Sequence, residues 1–127
     1  MMTRGARLLD LHIGRTRPRT YGWDELREPS GLVNIPASFF LRPVGSQRGL
    51  AGALRLERIR GAIRSAARYG KIVHLWWHPH NFGAHPGPNL ALLDQVLDEF
   101  EWLRREEGML SLSMNGVADA LGEGTRG

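Results

Sequence analysis

The run Lys71-Ile72-Val73-His74-Leu75-Trp76-Trp77-His78-Pro79-His80-Asn81-Phe82-Gly83 does most to limit what this chain can fold into. Ile72 to Trp77 reads as a strand buried on both faces. Pro79 has no N–H to contribute to a ladder, so the strand ends beside it. Two histidines and an asparagine therefore gather at a strand end. In α/β folds that is where ligands bind and chemistry is done.

The segments on either side suit an α/β layout. Gly31 to Ser38 reads as a short strand, limited at its end by Pro36. A Gly-rich connection over Val44–Gly52 leads into a helix over Leu54–Tyr69, where Leu56, Ile59, Ile63 and Ala66 recur at helical spacing. Gly70 is its natural stop. After the central strand, His80 to Pro88 reads as a loop. Asn89 is placed to cap a helix whose buried stripe is Leu93, Val96, Leu97, Phe100 and Leu103, ending at Gly108. Met109 to Met114 alternates apolar residues with Ser111 and Ser113, as a half-buried strand does. Asn115 then caps a short helix to about Leu121. Residues 3–13 read equally as a helix end or a strand, and Arg15 to Pro29 as a loop anchored by Tyr21 and Trp23.

Strand, helix, strand, helix, strand and short helix in that order predict an α/β fold of parallel strands with helical crossovers. Three such strands leave an apolar edge open. The expectation is that residues 1–122 form the C-terminal portion of a larger α/β domain, or that the edge pairs with a partner. Residues 123–127 are expected to be a flexible tail.

Charge divides unevenly along the 127 residues. Residues 1–71 carry 13 Arg and one Lys against five acids; residues 72–127 carry three Arg against eight. Arg55, Arg58, Arg60, Arg64 and Arg68 fall mostly on the outer side of the first helix, where no aromatic residues interleave with them as in a single-strand binder. A solvated face explains them, and no nucleic-acid partner is expected. No apolar run approaches the roughly 20 residues that span a bilayer. The first ten residues lack the apolar core of a secretory signal. A cytoplasmic location is the expectation. Without cysteine, disulfides and thiolate metal sites are excluded.

On a strand, His74, Trp76, His78 and His80 share one face. His74 and His78 would stand roughly 13 Å apart and could not share an ion. His78 and His80 could, but zinc needs a third protein ligand. His85 and Asp94 are not placed there by any pattern. His74, inside an apolar run, reads as a hydrogen-bonded core residue. His80 and Asn81 either line a binding site or organise the turn after Pro79. His78 closes the strand with an imidazole suited to move a proton near neutral pH. Nucleotide-binding glycine loops and the serine-hydrolase elbow are absent.

Ile72-Val73-His74-Leu75-Trp76-Trp77-His78-Pro79-His80-Asn81-Phe82-Gly83 resembles the last strand of polysaccharide deacetylases, the carbohydrate esterase family 4 domain. The segment Gly108-Met109-Leu110-Ser111-Leu112-Ser113-Met114 is similar to that domain's ending, and Gly31-Leu32-Val33-Asn34-Ile35-Pro36-Ala37-Ser38 to an earlier strand. The resemblance covers about residues 20–120. It implies a distorted (β/α) barrel that removes acyl groups from amino sugars. In the family, a divalent metal, commonly zinc, is held by an Asp and two His. A second Asp is the base and a strand-end His the acid, the role that falls to His78. Trp76 would pack beneath a sugar ring, with His80 and Asn81 as further substrate-binding candidates. The sequence has no Asp-Asp pair and no helical H-x3-H, and lone Asp10 and Asp24 do not replace them. The resemblance thus implies an incomplete catalytic centre: no metal site on this chain alone, and no activity without upstream metal-binding strands. Two other readings remain. One is a different metal-dependent hydrolase barrel with His78 and His80 as ligands. The other is a non-catalytic interaction domain, in which the open sheet edge recruits another protein or a second copy.

Overall fold

The computed structural model describes residues 20–41 and 49–124. They form a mixed α/β arrangement that is mostly helical. A 3-10 turn, Trp23–Leu26, precedes strand β1, Phe39–Phe40. Helix α1, Leu50–Tyr69, crosses over to strand β2, Leu75–Trp76. Three helices follow: α2, Pro79–Gly83; α3, Pro86–Glu107; and α4, Met114–Gly124. The two strands run parallel, with Phe39 opposite Leu75 and Phe40 opposite Trp76. The expected parallel pairing through a helical crossover is therefore present. No barrel is formed among the described residues. The expectations for residues 3–13, and for the connection at residues 44–48, lie outside them.

α1 forms because its apolar residues return every three or four positions and bury one face. Leu56, Ile59, Ile63 and Ala66 are buried as the spacing predicts. The helix begins at Leu50, four residues earlier than expected. Gly70 ends it at φ 61°, a left-handed conformation in which a side chain would be strained, and its N–H bonds back to the Ala66 carbonyl. Gly108 ends α3 in the same way.

α1 and α3 pack over one face of the sheet. Leu41, Ile59, Ile63, Phe82, Val96 and Leu103 make the core between them, with Val73 and Leu75 against it. Arg64 ties the two helices through a two-pronged bond to Glu99, one arm being Nη2 to Oε2 at 3.1 Å. Arg55 donates to the Phe40 carbonyl at 2.6 Å. These arginines are tertiary clamps as well as a solvated face. On the opposite face, Tyr21, Leu26 and Val117 form a smaller cluster with Ile72, and Trp23 packs beside it. Tyr21 and Trp23 are thus anchors, as expected.

Several expectations are corrected. The run Ile72–Trp77 is not buried on both faces: Ile72 to Leu75 are half-buried, and Trp76 and Trp77 are exposed. Pairing with the earlier strand occurs after Pro36 instead of before it. Pro36 has no N–H, and the first bonds to the central strand come from the Ser38 and Phe39 amides to the His74 carbonyl. Met109–Met114 is not a strand. It makes no ladder, Leu110 and Leu112 are 72% and 44% exposed, and Met114 already belongs to α4. That helix is capped by Ser113, not Asn115: the Ser113 hydroxyl accepts the Gly116 N–H at 3.0 Å. It runs to Gly124, so residues 123 and 124 are helical, not tail.

Candidate functional site

Pro79 acts twice. It ends the extended chain, and its fixed φ also starts α2 as the first helical residue. The expected loop from His80 to Pro88 therefore contains a helical turn and the start of α3. His78 sits at the joint in extended conformation, and its carbonyl accepts the Asn81 N–H at 3.0 Å.

From Ile72 to His78 the backbone alternation aims the side chains as the sequence pattern implied; His80, expected on the same strand face, comes instead from α2, because Pro79 starts a helix. Ile72 faces the smaller cluster, and His74 follows on the same side. The His74 Nδ1 lies 3.1 Å from the Ile35 carbonyl. A carbonyl can only accept, so Nδ1 carries the proton in that bond. His74 is a half-buried, hydrogen-bonded residue, as expected for a core histidine. Beyond it the strand face becomes an aromatic surface. Trp76 and His78 meet edge to face at 5.0 Å between ring centres, and His78 and His80 lie at 5.2 Å with an interplanar angle of 24°. Trp77 turns the other way and stacks on Phe82 at 5.4 Å.

Sequence reasoning missed Phe40. The parallel register places it opposite Trp76, with ring centres 4.5 Å apart and the His78 ring at 5.7 Å. The available signal was the Phe39-Phe40 pair just beyond the first apolar run. Arg55 was missed for this role too; its bond to the Phe40 carbonyl fixes the strand end that carries the ring.

Asn89 was expected to cap α3, yet it lies inside that helix and is fully buried. Its Nδ2 donates to the carbonyls of Asn81 and Phe82, both at 3.4 Å. Those carbonyls belong to α2, a five-residue helix too short to satisfy its own end. Asn89 thereby holds the segment that carries His78 and His80. Asn81 itself is half-buried, with its N–H and carbonyl both engaged in this turn.

The surface of Phe40, Trp76, His78 and His80 offers flat aromatic faces and two exposed imidazoles beyond the C-terminal ends of two parallel strands. It suits a ring-shaped ligand with polar edges, and an imidazole there can exchange a proton with it. Among the described residues, no group of three or more His, Cys, Asp or Glu side chains could hold a metal ion. His85 and Asp94 do not join His78 and His80 in such a group. No described helix is long and apolar enough to cross a membrane. No family model, curated protein or solved structure matches the chain.

Proposed function

We propose that this chain is the carbohydrate-facing C-terminal portion of a polysaccharide deacetylase-like (β/α) barrel, with His78 as the general acid. The observation that supports the reading is the continuous face formed by Phe40, Trp76, His78 and His80 at the C-terminal end of the parallel pair. A pyranose ring presents C–H groups on one side and hydroxyls at its rim. Trp76 takes the C–H side, and His80 and Asn81 stand beside the rim. His78, exposed and next to Trp76, is within reach of a substituent on the same sugar.

His78 and His80 alone do not complete the tetrahedral shell of a zinc ion. The activated water is therefore assigned to residues outside this chain, and the part played here is proton delivery. When the amide C–N bond of an N-acyl amino sugar breaks, the nitrogen must gain a proton to leave as an amine. Protonated His78 supplies it and becomes neutral, a role suited to an imidazole near neutral pH.

The test is acetate release from N-acetylated chito-oligosaccharide. The 127-residue chain with added zinc should release none. A protein joining it to the strands that supply an Asp and two His ligands should release acetate, and His78→Ala should cut turnover by roughly 10²-fold or more. Undiminished turnover in His78→Ala would remove His78 from the role.

A further inference from the structure

The chain has four asparagines, and three of them, Asn34, Asn81 and Asn89, precede the bulky residues Ile35, Phe82 and Leu90. Asn115 precedes Gly116. The side-chain carbon of an asparagine is open to attack by the backbone nitrogen of the next residue. Glycine, with no Cβ, obstructs that attack least. Asn115 is exposed on the first turn of α4, and its side-chain amide makes no hydrogen bond among the described residues. By contrast, the Asn34 amide donates to Glu28 at 3.3 Å, and Asn89 is buried in its bonds to α2. The restraint at Asn115 falls on the attacking atom. The Gly116 N–H donates to the Ser113 hydroxyl at 3.0 Å. The helix also holds Asn115 at a ψ of about −42°, which turns the Gly116 nitrogen away from the Asn115 side-chain carbon.

We propose that Asn115 is a modification site guarded by the Ser113 cap: when the first turn of α4 opens, Gly116 closes on Asn115 and the side-chain amide is lost. The Gly116 nitrogen gives up its proton and bonds to Asn115 Cγ. The Cγ–Nδ2 bond breaks, and the departing nitrogen takes up a proton and leaves as ammonia. Water then opens the five-membered imide at either carbonyl, giving aspartate or isoaspartate at this position. Both products add a negative charge. Aspartate suits the start of a helix. Isoaspartate does not, because it lengthens the main chain by a methylene inside the first turn. α4 docks through Val117, which is buried with Tyr21 and Leu26, and Leu121 and Ile72 pack beside them. The isoaspartyl chain therefore holds this cluster less firmly. The conversion runs one way, so it accumulates as a record of how often α4 has opened. It does not depend on what the Trp76–His78 surface binds.

The test incubates the full 127-residue chain near neutral pH and reads the mass gain at each asparagine by mass spectrometry of its peptides. Asn115 is expected to convert while Asn34, Asn81 and Asn89 stay intact, and its two products should separate chromatographically at equal mass. The rate follows the population of the open turn, so it should rise in urea, where α4 is open throughout. That comparison uses the unaltered chain and does not depend on a variant folding. Ser113→Ala should speed conversion of the folded chain by about fivefold, the effect of a lost N-cap on the open population, and change nothing in urea. Ser113→Thr keeps a capping hydroxyl and should stay near the parent rate. Conversion of Asn115 no faster than that of Asn34 would overturn the proposal. Equal rates in buffer and in urea would overturn it as well, because the fold would then guard nothing. An unchanged rate in Ser113→Ala that retains the folded circular dichroism spectrum would do the same for the cap.

Discussion

Replacing Asn89 by alanine tests how the site is held. Asn89 is 0% exposed, and its amide serves two carbonyls of the short helix α2. Alanine removes both donors and leaves acceptors facing a protein interior. An unsatisfied buried acceptor costs about 1–3 kcal/mol, and the long 3.4 Å bonds place each at the low end. The lost side-chain volume adds a smaller cavity cost. The sum is about 2–3 kcal/mol. In urea, with a slope of about 2 kcal/mol per molar, the midpoint should fall by about 1–1.5 M. Asn89→Asp should be worse at neutral pH, because a carboxylate there only accepts and would face two carbonyl oxygens without a donor. The loss should shrink on acidification, as the aspartic acid regains a proton to donate. The ring signals of His78 and His80 should shift in both variants, since α2 loses its anchor. A midpoint change below about 0.3 M, with unmoved histidine signals, would refute the assignment of Asn89 as the clamp.

Two glycines should respond in opposite directions. Gly61 lies inside α1 with open space at its Cβ position, so Gly61→Ala should stabilise by about 0.5–1 kcal/mol in thermal unfolding. Gly70 has equal space but a φ of 61°, so Gly70→Ala should destabilise by about 1 kcal/mol through backbone strain alone. On α3, Arg104 hydrogen-bonds the Glu101 carboxyl and holds it below the usual carboxylate range. A lowered folded value means that this pair's contribution is present above the unfolded carboxyl's titration and is lost as pH falls through the folded one. Glu101→Gln should therefore lower stability slightly and salt-sensitively at neutral and alkaline pH, and remove a small part of the acid-side slope, so that the two proteins converge at low pH. Calorimetric titration of the chain with zinc should give no stoichiometric site of nanomolar affinity, because His78 and His80 have no third ligand beside them among the described residues. Such a site would favour the reading in which those two histidines are metal ligands.

The helices were legible because they carry two independent signals. A period near 3.6 marks their buried faces, and glycines that accept a left-handed conformation mark the ends, as at Gly70 and Gly108. The strands carry only alternation. In Met109–Met114 that alternation is real, but without a paired backbone it leaves Leu110 and Leu112 exposed. Short apolar runs do not declare which neighbour they will find. Pro79 misled because one property, a locked φ without an N–H, both stops a strand and starts a helix. Asn89 misled because capping and tertiary bonding both favour asparagine, and only the fold brings Asn81 and Phe82 to it. At the site, strand alternation was enough to group Trp76 and His78, whereas His80 reaches them from the first turn of α2 and not from the strand. Phe40 joined them through the parallel register, which depends on a pairing 36 residues away in sequence.

If the face of Phe40, Trp76, His78 and His80 receives an amino sugar, the tryptophan fluorescence and the imidazole NMR signals should respond as the chain is titrated with N-acetylglucosamine tetramer. Saturable binding is expected, with shifts at the Trp76, His78 and His80 rings, weakening by about tenfold in Trp76→Ala without loss of the folded spectrum. Absence of shifts at these rings up to millimolar tetramer, or binding unaffected by Trp76→Ala, would contradict that reading.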